Sequence, residues 1–399
     1  MAFQNIFILG STGKVGTELI DQVQRYDMSN KGHLNPTRIV GVADSQSYIL
    51  STSGLEPESL YALKPSADPR PNYIPDPDDS NNQYIINDKK NKFNRENIVS
   101  YSHHDQILEA VKRCGLEGEI IFVDVTSEGP KMLDFHQKVI KESVNKLVTA
   151  NKKPLVGSME SFQTIASNPS RYLYNTSVMA GAAAVPYLQE VHGLSETVLS
   201  IQGTFSGTLA YVCSELEKGE KKFSTIVQEA KNAGYTEPHA FDDLSGEDVK
   251  RKLMILLRSA GISVEEEQIS LEGMISHEKY GSLGADDFLD AITAEDSYFA
   301  EKIKIESEKG NVPRYVASYQ LVKGMPDMKV GLQFVPRESE LGILKGTANK
   351  ILIRTSQRTP GEYNPHTIQS PGAGIIKTAA SVRSDLLHLL NNTNLYIHN

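Results

Sequence analysis

The chain has 399 residues, 39% apolar and 23% charged, enough for one large or two modest globular domains and too apolar for a disordered protein. A formal net charge of −9 without a basic block excludes a nucleic-acid footprint. Two cysteines, Cys114 and Cys213, exclude a disulfide framework, and the lack of any apolar run of about 18 residues excludes a membrane-spanning helix.

The opening "MAFQNIFILG" lacks the basic region of a signal peptide, so a soluble cytoplasmic protein is expected. "NIFILG" reads as a buried strand ending at glycine. "KVGTELIDQVQRY" follows with Val15, Leu19, Ile20 and Val23 at helical spacing, and "RIVGVADS" is a second buried strand. Strand, helix and strand in about 40 residues make a βαβ unit and hence a parallel sheet. Residues 57–96, rich in Pro, Asp and Asn, read as a long surface excursion. Alternation resumes with a helix in "HDQILEAVKRC", a strand in "EIIFVDVTS", a helix in "GPKMLDFHQKVIKES" and a strand in "KLVTAN".

From about residue 155 the pattern changes. "ETVLSIQGTFS", "VPRYVASYQLV" and "MKVGLQFV" alternate, as half-exposed antiparallel or mixed strands do. "GAGIIKTAASVRSDLLHLLNN" is a late glycine turn entering a helix.

The glycines of "FILGSTGKVGTEL", Gly10, Gly13 and Gly16, lie between the first strand and the first helix. There the backbone can approach a pyrophosphate, and the helix N-terminus offers free N–H groups to it. Gly10, Thr12, Gly13, Lys14 and Val15 are therefore candidate dinucleotide contacts. Asp44, ending the second strand, can accept from a ribose 2′-hydroxyl, which favours NAD; Ser45, Gln46 and Ser47 leave NADP open. Thr126 and Ser127 fall over the carboxyl edge of the sheet, where a nicotinamide sits, and "VTANKKP" delivers Lys152 to the same edge.

"VTANKKP", "YNTSVMAG", "IQGTFSGTLAYV", "AGYTEPHAFDDLSGEDVKRKLMIL" and "PGAGIIKTAAS" resemble, in order, the homoserine dehydrogenases, and most closely the dehydrogenase portion of bifunctional aspartokinase–homoserine dehydrogenases. The likeness spans nearly the whole chain apart from 57–96. It implies an α/β protein: a Rossmann-type nucleotide-binding domain with a second α+β catalytic/dimerisation domain built on a mixed sheet. The boundaries expected are 1–154 for the first domain, completed by 335–399, and 155–334 for the second. The implied reaction is the NAD- or NADP-dependent interconversion of L-homoserine and L-aspartate 4-semialdehyde, in a homodimer or higher homo-oligomer. Nothing before residue 1 reads as a kinase, and nothing after the last helix as a regulatory domain, so a monofunctional enzyme without threonine inhibition through a fused domain is expected.

The residues carry that chemistry in their own right. An ammonium is held by carboxylates, and "EPHAFDD" offers Glu237, Asp242 and Asp243 on a loop. An alcohol becomes an aldehyde by losing its hydroxyl proton as hydride leaves, and a lysine can take that proton. "SGEDVKRKLMILLRSAG" reads as a helix with Ser245 as N-cap and Val249, Leu253 and Leu256 as its apolar stripe. Asp248 and Lys252, four apart, share a face beside that stripe, while Glu247, Lys250 and Arg251 read as solvated. The resemblance makes Lys252 the acid/base, Asp248 its partner at the substrate hydroxyl and Lys152 a second active-site lysine. It places Glu237, Asp243 and Tyr235 at the substrate, Gly234 and Gly374 near the cofactor, and Gly203, Ser206 and Gly207 on the substrate wall.

The sequence also departs from the family. The resemblance implies a monovalent cation, Na or K, on backbone carbonyls of Asn175, Val178, Ala180 and Ala182. Met179 stands there in place of a glycine, and a methionine adopts glycine-only backbone angles at a cost. His239 and Phe241 replace an acid and an arginine, Lys377 replaces a small or apolar residue, and the first glycine loop is one residue longer. Two other readings compete. An aspartate-semialdehyde dehydrogenase-like enzyme needs a thiolate nucleophile, for which Cys114 and Cys213 are the candidates. A non-catalytic dinucleotide-binding paralogue is suggested by Met179 and His239.

Overall fold

The computed structural model describes residues 3–28, 36–61, 63, 98–116, 118–360 and 364–389. Most of the excursion expected at 57–96 lies outside these residues.

The first sheet has the order β4-β3-β2-β1-β5-β6-β7. Its strands are β1 (Gln4–Leu9), β2 (Thr37–Ala43), β3 (Ser47–Leu50), β4 (Val99–Ser100), β5 (Ile120–Asp124), β6 (Lys146–Thr149) and β7 (Tyr172–Leu173). The five strands from β2 to β7 run parallel, and β3 and β4 add an antiparallel margin. β1 and β5 are buried along their whole length, as strands covered on both faces must be, and this is why they read as unbroken apolar runs. The parallel order β2-β1-β5-β6 sets the carboxyl ends of four strands side by side. Asp44, Gly10, Thr126 and Lys152 follow those ends along a single edge.

The second sheet has the order β13-β12-β8-β10-β11-β9. It comprises β8 (Val198–Thr204), β9 (Ser270–Leu271), β10 (Asn311–Val322), β11 (Met325–Pro336), β12 (Ala348–Thr355) and β13 (His366–Pro371). All pairs are antiparallel except β9 with β11, so the sheet is mixed.

The chain divides between the sheets differently from the expected boundaries. β7 keeps the chain in the first sheet beyond residue 154, because Leu147 and Val148 pair with Tyr172 and Leu173. Beyond residue 335, β12 and β13 stay with the second sheet through the pairing of β12 with β8. Only the Ile375–His388 helix returns. Its Ala379, Val382 and Leu386 join Leu19 and Ile20 of the Lys14–Gln22 helix and Ile6, Ile8 and Val123 of the sheet in one apolar cluster. Burying such side chains stabilises by roughly 1.5–3 kcal/mol each. The return is reinforced by Gln4 Nε2 donating to Leu386 O at 2.9 Å and by an ion pair between Arg383 and Asp27.

Candidate active site

The glycine loop is built by contact as much as by flexibility. Gly10 has φ +85°, and a Cβ on Gly16 would lie 2.2 Å from Gly10 O. The backbone N–H groups of Gly10 and Ser11 both donate to Ala43 O, at 2.9 and 3.0 Å, which ties the loop to the end of β2. Gly13 precedes the helix with no side-chain cap, so its first N–H groups face outward from the sheet edge. Thr12 and Val15 are half-buried, and Gly13 and Lys14 are exposed. Asp44 Oδ1 accepts from the N–H groups of Gln46 and Ser47 at 2.7 and 2.6 Å. The carboxylate thus shapes the β2–β3 turn with one oxygen.

Thr126 lies directly over the loop, its Cγ2 placed 3.1 Å from where a Gly10 Cβ would be. Its hydroxyl and N–H both donate to Asp124 Oδ1, at 2.7 and 2.9 Å. Asn151, which the sequence reading passed over, donates from Nδ2 to Thr126 Oγ1 at 3.2 Å and to Glu128 O at 2.7 Å. Ser127 is exposed between them.

The second half of the site starts at Gly246. A five-residue helix, Ala240–Leu244, carries Asp242 and Asp243, which were expected on a loop. Its N-cap is His239, whose Nδ1 accepts from Phe241 N–H at 3.3 Å while Nε2 lies 2.9 Å from Leu283 O. The replacement of an acid by His239 therefore has a local structural role. Ser245 ends this helix, and its Oγ accepts from Glu247 N–H at 3.3 Å at the start of the next, one position before the N-cap glycine. Gly246, at φ +78°, opens the Glu247–Ser259 helix. A Cβ there would fall 1.9 Å from Tyr315 Oη, so glycine is required on both counts.

That helix turns Asp248 and Lys252 inward. Lys252 is 7% exposed; its Nζ lies 2.8 Å from Asp248 Oδ2 and donates to Phe205 O at 2.7 Å. Lys152, from the edge of the first sheet, reaches the other oxygen, Asp248 Oδ1, at 3.2 Å. One carboxylate thus bridges a lysine from the sheet edge and a lysine from the helix. Burial pushes the Asp248 carboxyl up, but Lys252 first and Lys152 second outweigh it and hold the group well below the ordinary carboxylate range. Each oxygen holds one lysine, so Asp248 fixes both ammoniums at the place where the resemblance puts the substrate hydroxyl. Of the three neighbours read as solvated, Lys250 is not: its side chain is 12% exposed and pairs with Glu266 at 3.2 Å.

Asp243 binds the approach loop together. Thr208 Oγ1 donates to Asp243 Oδ1 at 2.9 Å, and Glu237 N–H donates to Oδ2 at 2.7 Å. Burial is the main cause that pushes its carboxyl up to about 6, against the lowering effect of those two bonds. Thr208 was missed in the sequence, although "SGT" directly after a strand is the kind of turn that places a hydroxyl at a helix start. Ser206 caps that helix, Gly207–Leu216, and Gly203 sits within β8. Glu237 and Tyr235 are exposed, with Tyr235 set against Tyr211 at 5.0 Å between ring centroids. Gly234 and Gly374 take positive φ, +72° and +139°, at exposed turns.

The loop implied to hold a cation does not fit a free ion. Met179, Ala180, Gly181 and Ala183 all adopt positive φ, the methionine included. Val178 O accepts from Gly181 N–H at 3.1 Å and Ala180 O from Ser381 Oγ at 2.7 Å. Lys377 Nζ donates to Met179 O at 3.1 Å. Asn175 Oδ1 is buried without a hydrogen-bond partner. A second cation on this loop would meet repulsion from the ammonium that already holds Met179 O. Cys213 is fully buried, which pushes its thiol up to about 12, and Cys114 donates to Val111 O. Neither thiol suits a nucleophile.

Comparison with known proteins places this geometry. The family model for homoserine dehydrogenase matches residues 187–387. A homoserine dehydrogenase of Paracoccidioides brasiliensis is 32% identical over 340 residues, covering 81% of this chain and 87% of that protein. The chain belongs to the homoserine dehydrogenase family. Other family relatives are longer: the chain is 28% identical to the maize chloroplastic bifunctional aspartokinase/homoserine dehydrogenase 1 and spans 37% of its length. Among solved structures, a Candida auris protein of unknown function matches with a TM-score of 0.76 at 26% identity, covering 97% of this chain and 98% of that one. A hyperthermophilic archaeal homoserine dehydrogenase in complex with NADPH shares the fold, with a TM-score of 0.62 at 18% identity over 97% of each chain. Among the described residues no helix is long and apolar enough to cross a membrane.

Proposed function

We propose that this chain interconverts L-homoserine and L-aspartate 4-semialdehyde with NAD or NADP, in the aspartate-derived route to threonine, methionine and isoleucine. The observation that carries the reading is the convergence of Lys152, from the edge of the first sheet, and Lys252, from the Glu247–Ser259 helix, on Asp248. A nicotinamide dinucleotide held at this edge would supply the hydride chemistry, linking the alcohol carbon of one substrate with the aldehyde carbon of the other. Gly10, Thr12, Gly13, Lys14 and Val15 hold its pyrophosphate, Asp44 its ribose, and Thr126, Ser127, Gly234 and Gly374 border its nicotinamide half. The tight loop that such a group needs is supported by Gly16, where a Cβ would lie 2.2 Å from Gly10 O.

Lys252 handles the substrate oxygen. Its ammonium has three donors, and Asp248 and Phe205 O take two. The third points to the substrate oxygen, giving up a proton as aldehyde becomes alcohol and recovering one in the reverse direction. Lys152 and Asp248 keep Lys252 in register, while Glu237 and Asp243, with Tyr235, take the substrate ammonium. A homodimer in the cytoplasm completes the reading, its assembly checked by sedimentation.

The test is spectrophotometric: homoserine with NAD or NADP, for wild type and Lys252→Ala. Wild type is expected to turn over with at least one dinucleotide and the variant to lose about 100-fold or more in kcat. No wild-type turnover with either dinucleotide would sink the proposal and favour the non-catalytic reading.

A further inference from the structure

We infer that the Lys377 ammonium does the work of a free monovalent cation under the 175–183 loop, so that the enzyme needs neither sodium nor potassium. The inference rests on the dehydrogenase reading above. Lys377 Nζ sits among three oxygens: Met179 O at 3.1 Å, Pro371 O at 3.0 Å and Ser370 Oγ. An ammonium has three donors, and these three acceptors use them all. The cradle joins three separate segments: the left-handed loop, the end of β13 and the first turn of the Ile375–His388 helix.

The same helix holds the loop at two further points, each four residues on. Ser381 Oγ donates to Ala180 O at 2.7 Å, and Asp385 Oδ2 accepts from Thr176 Oγ1 at 3.0 Å and Thr176 N–H at 3.3 Å. Lys377, Ser381 and Asp385 therefore form one face of a helix, matched to one loop. The loop needs such a hold. Met179, Ala180 and Ala183 have φ of 50°, 49° and 63°, a conformation that non-glycine residues keep only when their surroundings impose it. From the loop the hold passes to the catalytic helix, since Tyr174 Oη lies 3.2 Å from Ser259 Oγ. From β13 it passes to the Gly374 turn, three residues before Lys377. Lys377 is thus a positioning residue: it touches no substrate atom and fixes two walls of the site by charge and direction.

The experiment compares wild type and Lys377→Met in potassium, sodium, ammonium and choline chloride at equal ionic strength. It reads thermal melting, with and without dinucleotide, and the KM for dinucleotide. Wild type is expected to behave alike in all four salts. Lys377→Met is expected to melt lower in choline and to show a dinucleotide KM raised about tenfold, partly restored by potassium or ammonium. A wild type that requires potassium or sodium would overturn the inference. So would a variant matching wild type in choline, or an impaired variant that no cation relieves. If Lys377→Met does not fold, the wild-type salt series decides alone. If no homoserine turnover is found at all, the dehydrogenase reading fails, and the melting series still reports on the clasp.

Discussion

Asp248→Asn keeps the shape of the side chain and removes its charge. That charge holds Lys252 at 2.8 Å and Lys152 at 3.2 Å. A hydrogen bond to a charged group contributes roughly 1.5–3 kcal/mol, so the two together contribute roughly 3–6 kcal/mol. The Asp248 side chain keeps 41% exposure, and water in the cleft screens both pairs. Halving the sum for that screening leaves about 1.5–3 kcal/mol, equivalent to about 10- to 150-fold in rate. The loss is expected in kcat more than in KM, because the amide still fills the space but offers one neutral acceptor oxygen to two ammoniums, one of them nearly buried. Initial rates of dinucleotide oxidation with aspartate 4-semialdehyde measure it, and melting curves separate it from unfolding. A folded Asp248→Asn with wild-type kcat would refute the view that this carboxylate organises the two lysines.

Two further outcomes follow from the same region. Gly246→Ala combines a left-handed backbone with a Cβ 1.9 Å from Tyr315 Oη, and is expected to destabilise by roughly 2–4 kcal/mol, read from the urea midpoint; an unchanged midpoint would show that the joint between the two helices yields freely. Burial places the Asp243 carboxyl at about 6, so capture of the substrate ammonium should weaken as pH falls through about 6, and Asp243→Asn should remove that inflection from kcat/KM for homoserine. Folding runs the other way. A carboxyl raised above its usual 3.8 contributes stability fully present below 3.8 and lost as pH rises through about 6, so the Asn variant should gain on wild type across that window in pH-dependent melting.

What local pattern encodes was legible, and what depends on distant partners was not. β1, β2, β5 and β6 stood out because strands buried on both faces become unbroken apolar runs. Asp248 and Lys252 were paired on paper because four residues is one helical turn. No spacing rule, by contrast, connects Lys152 with Asp248, 96 positions apart, or Lys252 with the carbonyl of Phe205. Asp243 was assigned to a loop because a helix of five residues is too short to show a period. β12 and β13 fall within the 335–399 segment that the resemblance gives to the first domain, and no local pattern names the sheet a strand joins. Lys377 registered as a departure, but its purpose lies in Met179, Ser370 and Pro371.

The bridge at Asp248 also works as a gauge of how the two halves of the molecule meet. Lys152 follows β6 and Lys252 stands on the Glu247–Ser259 helix, so a shift of that helix against the nucleotide edge is read as a lengthening from Asp248 Oδ1 to Lys152 Nζ, while the i, i+4 pair with Lys252 moves as a unit. Any such shift works against this ion pair together with the buried bonds from Arg258 Nη1 to Leu155 O at 2.9 Å and between Tyr174 Oη and Ser259 Oγ at 3.2 Å. Added salt, which loosens the half-exposed ion pair and leaves the buried bonds in place, should ease such a shift, tying the pace of turnover to ionic strength.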